Sequence, residues 1–165
     1  MGFCPGPIYP CATAQLILFH NATGTGVVDA FDLSGSSPAR LTNIAIRGLV
    51  QTGDNIMIAG FIVLNAPVKV VVRAIGPSLL AFDINNALAD TTLELRREDG
   101  MLIRLNDNWQ TDPDQKQELE SIGLEPSHDL EAALVTTIPP GQYTVELRGK
   151  NDTSGIGVVQ VYFFP

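Results

Sequence analysis

The residues best placed for chemistry are oxygen-bearing. Asn106, Asp107 and Asn108 run consecutively, Asp112 and Asp114 follow, and Asp99 stands in a neighbouring turn. Carboxylates and carboxamides at this density would suit calcium, which takes roughly six to eight hard oxygen ligands. The same residue types also cap turns and helices through local hydrogen bonds, and no Gly sits where an EF-hand loop requires one. Ser127-His128-Asp129 contains the letters of a hydrolase triad. Adjacent side chains leave the backbone in different directions, however, so they cannot form a triad's hydrogen-bond chain. His20 is the only other histidine, and no GxSxG elbow exists. Glu118, Glu120, Glu125 and Glu131 supply enough acids for glycoside hydrolysis by number alone. On a helix and its exit loop they read as a solvated face. No catalytic residue and no obligatory cofactor is expected.

Cys4 and Cys11, in CPGPIYPC, are the only cysteines. Joining them would close a small ring contributing about 2.5 kcal/mol on the chain-entropy estimate, and implies an oxidising compartment. The alternative is two unpaired thiols in an N-terminal tail; the spacing is wrong for CxxC redox or zinc chemistry. Asn21 and Asn151 each begin a glycosylation sequon in turn-like surroundings. Trp109, the single Trp, reads as core rather than as a sugar-stacking platform.

The elements that must position these residues are mostly strands. In residues 92–109, Leu93 and Leu95 alternate with Glu94 and Arg96, Asp99-Gly100 turns the chain, and Leu102-Ile103 starts back. In residues 139–164, Tyr143, Val145 and Leu147 alternate with polar residues, and a polar loop at 151–155 leads to Val159, Val161 and Phe163. Period-two alternation bounded by such turn residues predicts antiparallel hairpins. Further strands are expected over residues 41–46, 56–64, 68–75 and 130–138. One helix is expected over residues 113–122, with Asp112 as N-cap, Pro113 in its first turn and Gly123 ending it. The expected fold is an all-β, jelly-roll-like antiparallel sandwich with one short helix. Residues 1–40 would be an N-terminal β extension with strands over 15–19 and 27–31, and residues 41–165 the sandwich domain.

Composition narrows the partners. Ten basic against eighteen acidic residues give a net charge of -8, which repels nucleic acid. The longest apolar run, residues 56–64, is far below the ~20 residues of a membrane helix. Hydrophobic residues make up 45% and charged residues 17%, a surface apolar enough to suggest cover by another subunit. Met1 is followed by no basic region and apolar core, so no complete signal peptide is visible.

The blocks RLTNIAIRGLVQTGDNIMIAGFIV, VVRAIGPSLLAF, ALADTTLELRREDG, NDNWQ and IPPGQYTVELRGKNDTSGIGVVQVY resemble a β-sandwich domain that recurs near the C-termini of large secreted bacterial proteins. The second half, through LEL, DG, NDNW and GQYTVELRG, is also similar to the bacterial pre-peptidase C-terminal domain. Those modules are attached to secreted hydrolases, and some bind calcium or polymeric substrates. Neither resemblance implies catalysis by the domain itself.

Gln15, Leu16, Ile17, Leu18 and Phe19 form an apolar run of strand length, tethered to the sandwich by SGSSPAR at residues 34–40. A two-strand ribbon is marginal in water unless it joins a sheet. It can complete its own sandwich or extend the sheet edge of a neighbour. The first functional expectation is a non-enzymatic extracellular or cell-surface structural protein, a homo-oligomer, polymer or filament joined by β-strand contacts. The alternative is a polysaccharide- or cell-surface-binding accessory module of a secreted enzyme or adhesin, with calcium as its cation.

Overall fold

In the computed structural model, which describes residues 24–30 and 42–164, strand alternation is carried through into burial. Among the described residues eight strands form: β1 (Asn43–Val50), β2 (Met57–Val63), β3 (Val68–Ile75), β4 (Thr91–Arg97), β5 (Leu102–Asn106), β6 (Ala132–Ile138), β7 (Gly141–Gly149) and β8 (Gly155–Phe164). An α-helix, α1 (Pro113–Ser121), lies between β5 and β6. The strands make two four-stranded sheets, β1-β8-β3-β6 and β2-β7-β4-β5, with every neighbouring pair antiparallel. That interleaved order is the eight-stranded jelly roll.

The core lies between the sheets. Val70, Val72 and Leu134 of one pack against Leu93, Val145 and Leu147 of the other. Phe61 stacks on Tyr143 at 5.6 Å between ring centroids and meets the edge of Phe163 at 5.5 Å. A second layer covers the outer face of the β1-β8-β3-β6 sheet. Trp109 and Leu119 bury against Val71, Ala133 and Val135, so Trp109, only 5% exposed, is core. At the other end of that face, Leu79 covers Ile75 and Val158.

Helix α1 forms for the reasons its sequence contains. The Asp112 carboxylate accepts from the backbone N–H groups of Asp114 (3.1 Å) and Gln115 (3.2 Å), Pro113 opens the first turn, and Gly123 follows the C-cap at φ +67°. A short 3-10 turn, Pro77–Phe82, supplements it.

Two expectations need correction. β4 and β5 form the Asp99-Gly100 hairpin as expected, but β7 and β8 do not pair with each other. Each lies in the middle of a different sheet, so the loop after β7 crosses from one sheet to the other. The strand expected over residues 27–31 is not seen in its described part either. Residues 24–30 are exposed and without secondary structure, and no ladder among the described residues includes them. The chain divides into two units, Met1–Leu41 and Thr42–Pro165.

The β4–β5 turn supplies two tests. Gly100 has φ +82°, where a β-branched side chain is strained, and its N–H donates to the Arg97 carbonyl at 2.8 Å. Gly100→Val is expected to cost about 1–3 kcal/mol; an unchanged melting temperature would contradict this. The Asp99 carboxylate accepts from the Arg97 guanidinium and the Met101 N–H, and these bonds hold its pKa below the usual carboxylate range. A depressed folded pKa means the contribution is present above the unfolded value of about 3.9 and is lost as pH falls through the folded one. A carbon-detected NMR titration should place the Asp99 midpoint below that of ordinary aspartates; a normal midpoint would mean the pairing is absent in solution.

Candidate functional site

A jelly roll has two ends, and here they differ. At one end β2–β3, β4–β5 and β6–β7 are joined by tight turns at residues 64–67, 98–101 and 139–140. The longer connections, residues 51–56, 76–90, 107–131 and 150–154, all emerge at the other. Connections carried on a rigid scaffold are the usual place for recognition.

Polar side chains brace this loop end. Lys150, just past β7, places its Nζ 2.7 Å from Asp107 Oδ2 and 3.8 Å from Asp90 Oδ2. One ammonium thereby joins the β3–β4, β5–β6 and β7–β8 connections. Burial pushes the Asp90 pKa up, the Lys150 charge opposes that shift, and the Asp107 charge adds to it. Lys150 is itself raised, chiefly by its hydrogen bond to Asp107. The β1–β2 connection joins the same framework: Gly53 N–H donates to Asp152 Oδ1 at 3.3 Å, and Arg148 donates to the Gly53 carbonyl at 3.2 Å. Within the β5–β6 connection, Asn108 Nδ2 and Gln110 Nε2 donate to the Asp129 carbonyl and Oδ1, both at 2.9 Å.

The sequence-derived cation set is divided among separate tasks. Asn106 accepts from Ala133 N–H at 3.0 Å and donates to the Asn108 carbonyl; Asp107 holds Lys150; Asp112 caps α1. Asp99 lies beyond the opposite end of β5, roughly 17 Å of strand away. Among the described residues no group of three or more His, Cys, Asp or Glu is gathered so as to hold a metal. Ser127-His128-Asp129 is a turn in which His128 Nδ1 accepts from Leu130 N–H at 3.2 Å. Asn151 is exposed at φ +54°, followed by Asp152 at φ +60°, and the sequon's Thr153 hydroxyl donates to the Lys150 carbonyl at 3.0 Å. Cys4, Cys11, Gln15, Leu16, Ile17, Leu18, Phe19 and Asn21 lie outside the described residues.

Glu131 departs from its expected role. Glu118 pairs with Lys69 and Glu120 with Lys116 at the surface, but Glu131 has no exposed surface at all. Its Oε1 accepts from Gly76 N–H (3.0 Å), Ser78 N–H (3.0 Å) and Ser78 Oγ (2.5 Å), tying the start of β6 to the turn after β3. Its partners lie 55 and 53 residues away in the chain, so no local signal separates it from its neighbours.

No family model matches the chain, and no curated protein matches it. A solved structure similar to it is the pre-peptidase C-terminal domain of collagenase from Bacillus anthracis, the kind of module its second half resembles. The two share 14% identity over 73% of this chain and 89% of that domain, with a TM-score of 0.46. Nothing about function follows from a likeness of that size.

Proposed function

We propose that this protein is a non-catalytic accessory module of a secreted protein, which attaches its bearer to polysaccharide or to a cell surface through the loop end of the jelly roll. The observation that supports this reading is the convergence of four long connections at one end, braced by Lys150, Asp107, Asp90, Asp152 and Arg148. Such bracing presents polar groups in a rigid arrangement, which lowers the ordering cost of binding. The amide and hydroxyl groups of Asn151 and Thr153 suit hydroxyl-rich ligands. Among the described residues no helix is long and apolar enough to cross a membrane.

The test is sedimentation with insoluble polysaccharides and with bacterial cell-wall preparations. Lys150→Glu should reduce the bound fraction about tenfold or more, while Asp99→Asn, at the opposite end, should leave it unchanged. Binding to none of these materials, or equal loss from both variants, would refute the reading. One observation favours a second reading, a structural subunit joined through β-strand contacts: β2 is an edge strand with no charged residue.

A further inference from the structure

The two sheets have four edges, and three of them carry obstacles to another strand. On β6, the Ala133 N–H donates to Asn106 Oδ1 at 3.0 Å. Gln115 occupies the same edge, accepting from Val135 N–H at 3.2 Å and donating to the Ala133 carbonyl at 3.0 Å. β1 carries the exposed Arg47 and β5 the exposed Arg104, charges that resist edge-to-edge pairing. β2 has none of these devices. Met57–Val63, MIAGFIV, contains no charge and no Pro, and it pairs with β7 in unbroken register. Nothing among the described residues pairs with its other side. Ile58 and Ile62 stand 56% and 60% exposed on its outer face.

Gly60, between those isoleucines, is not required by its own sheet. It does not have positive φ, and a Cβ there would meet only the Tyr143 carbonyl oxygen at 3.9 Å, an ordinary contact. Glycine inside a strand is destabilising, and its presence often marks the close approach of another backbone. The outward-facing residues are symmetric about it, Ile58 and Ile62 flanking Gly60 in Ile58-Ala59-Gly60-Phe61-Ile62. In an antiparallel copy centred on Gly60, Ile58 faces Ile62 twice on the outer side, and small Ala59 faces large Phe61 on the inner side.

We propose that β2 is a homotypic contact, at which two copies of this chain pair antiparallel about a two-fold axis at Gly60 and join their four-stranded sheets into one of eight. An isologous contact closes on itself, so its product is a dimer. The strip is narrow, below the ~800 Å² per partner of a standard interface, so the dimer should depend on concentration. This deepens the second functional reading. Its failure leaves polysaccharide binding untouched, because that test is read at the loop end with Lys150.

The experiment uses the full chain. In a Cys4→Ser/Cys11→Ser background, Gly60→Cys should form an oxidised covalent dimer, because directly opposed strand residues lie roughly 4.5–5.5 Å apart at Cα, within disulfide reach. Ile58→Cys alone should not, since its opposite number is position 62. By sedimentation equilibrium, Ile58→Lys/Ile62→Lys should weaken self-association by about tenfold or more with an unchanged circular dichroism melt. Failure of Gly60→Cys to cross-link, or a double-lysine variant that associates as tightly as the unmodified chain, overturns the proposal. Loss of association on removing residues 1–33 with no Gly60→Cys cross-link does so too, and assigns the contact to the N-terminal run.

Discussion

Glu131→Ala is expected to lower the unfolding free energy by about 3–5 kcal/mol, read from urea denaturation. The magnitude follows from what is left behind. Glu131 has no exposed surface, and one of its oxygens is the acceptor for Gly76 N–H, Ser78 N–H and Ser78 Oγ. Removing the shared acceptor strands the buried Gly76 N–H and two half-buried Ser78 donors, and a buried donor left unsatisfied costs roughly 1–3 kcal/mol. Glu131→Gln keeps an acceptor oxygen and the side-chain volume, so it should recover about half of the loss. A loss below about 1 kcal/mol from the alanine variant would mean that water replaces the carboxylate and that the latch between β3 and β6 is dispensable.

Gly149→Ala is expected to cost about 3 kcal/mol or more, through forced movement of the loop that changes sheets. A Cβ at Gly149 would lie 2.3 Å from the Thr153 carbonyl oxygen, 2.5 Å from Thr153 Oγ1 and 2.8 Å from a Leu88 methyl. The first of these is backbone and cannot rotate away. Lys150, the next residue, ties three connections through Asp107 and Asp90, so a displaced 150–154 loop loosens that end as well. Gly60→Ala is the matched control, with room for its methyl, and should leave stability unchanged or raise it by up to about 1 kcal/mol. Equal effects of the two substitutions, seen in chemical denaturation, would show that intrinsic strand propensity and not the close approach determines the cost.

Much of the local structure was legible. Val68–Ile75 is a strand over the expected residues, α1 begins at the expected Asp112 cap, and Gly100 has the positive φ that the Asp-Gly turn requires. Trp109 is core. These features depend on interactions within a few residues, which the local sequence contains. The candidate site was less legible. Asp107 could be read as a cation ligand because Lys150, its partner, is 43 residues away and invisible to any window around it. Asp99 and Asn106 are near in sequence, but strand β5 separates them to opposite ends of the hairpin.

Within residues 42–164 the sequence by itself determined the strands, the helix and the tight turns, because alternation, capping and φ > 0 are local requirements, whereas the strand expected over residues 27–31 is absent from residues 27–30. Only the tertiary structure decided which strands share a sheet. β7 and β8 follow one another across a short polar loop, the pattern of a hairpin, yet β7 alternates between buried and half-buried positions from Tyr143 to Gly149 while β8 is buried on both faces through its centre. β8 can occupy that position only where Leu79 and the Trp109–Leu119 layer cover the outer side of its sheet. That cover comes from residues distant in sequence. The sum of those non-local burials, rather than the turn between the two strands, assigns them to different sheets.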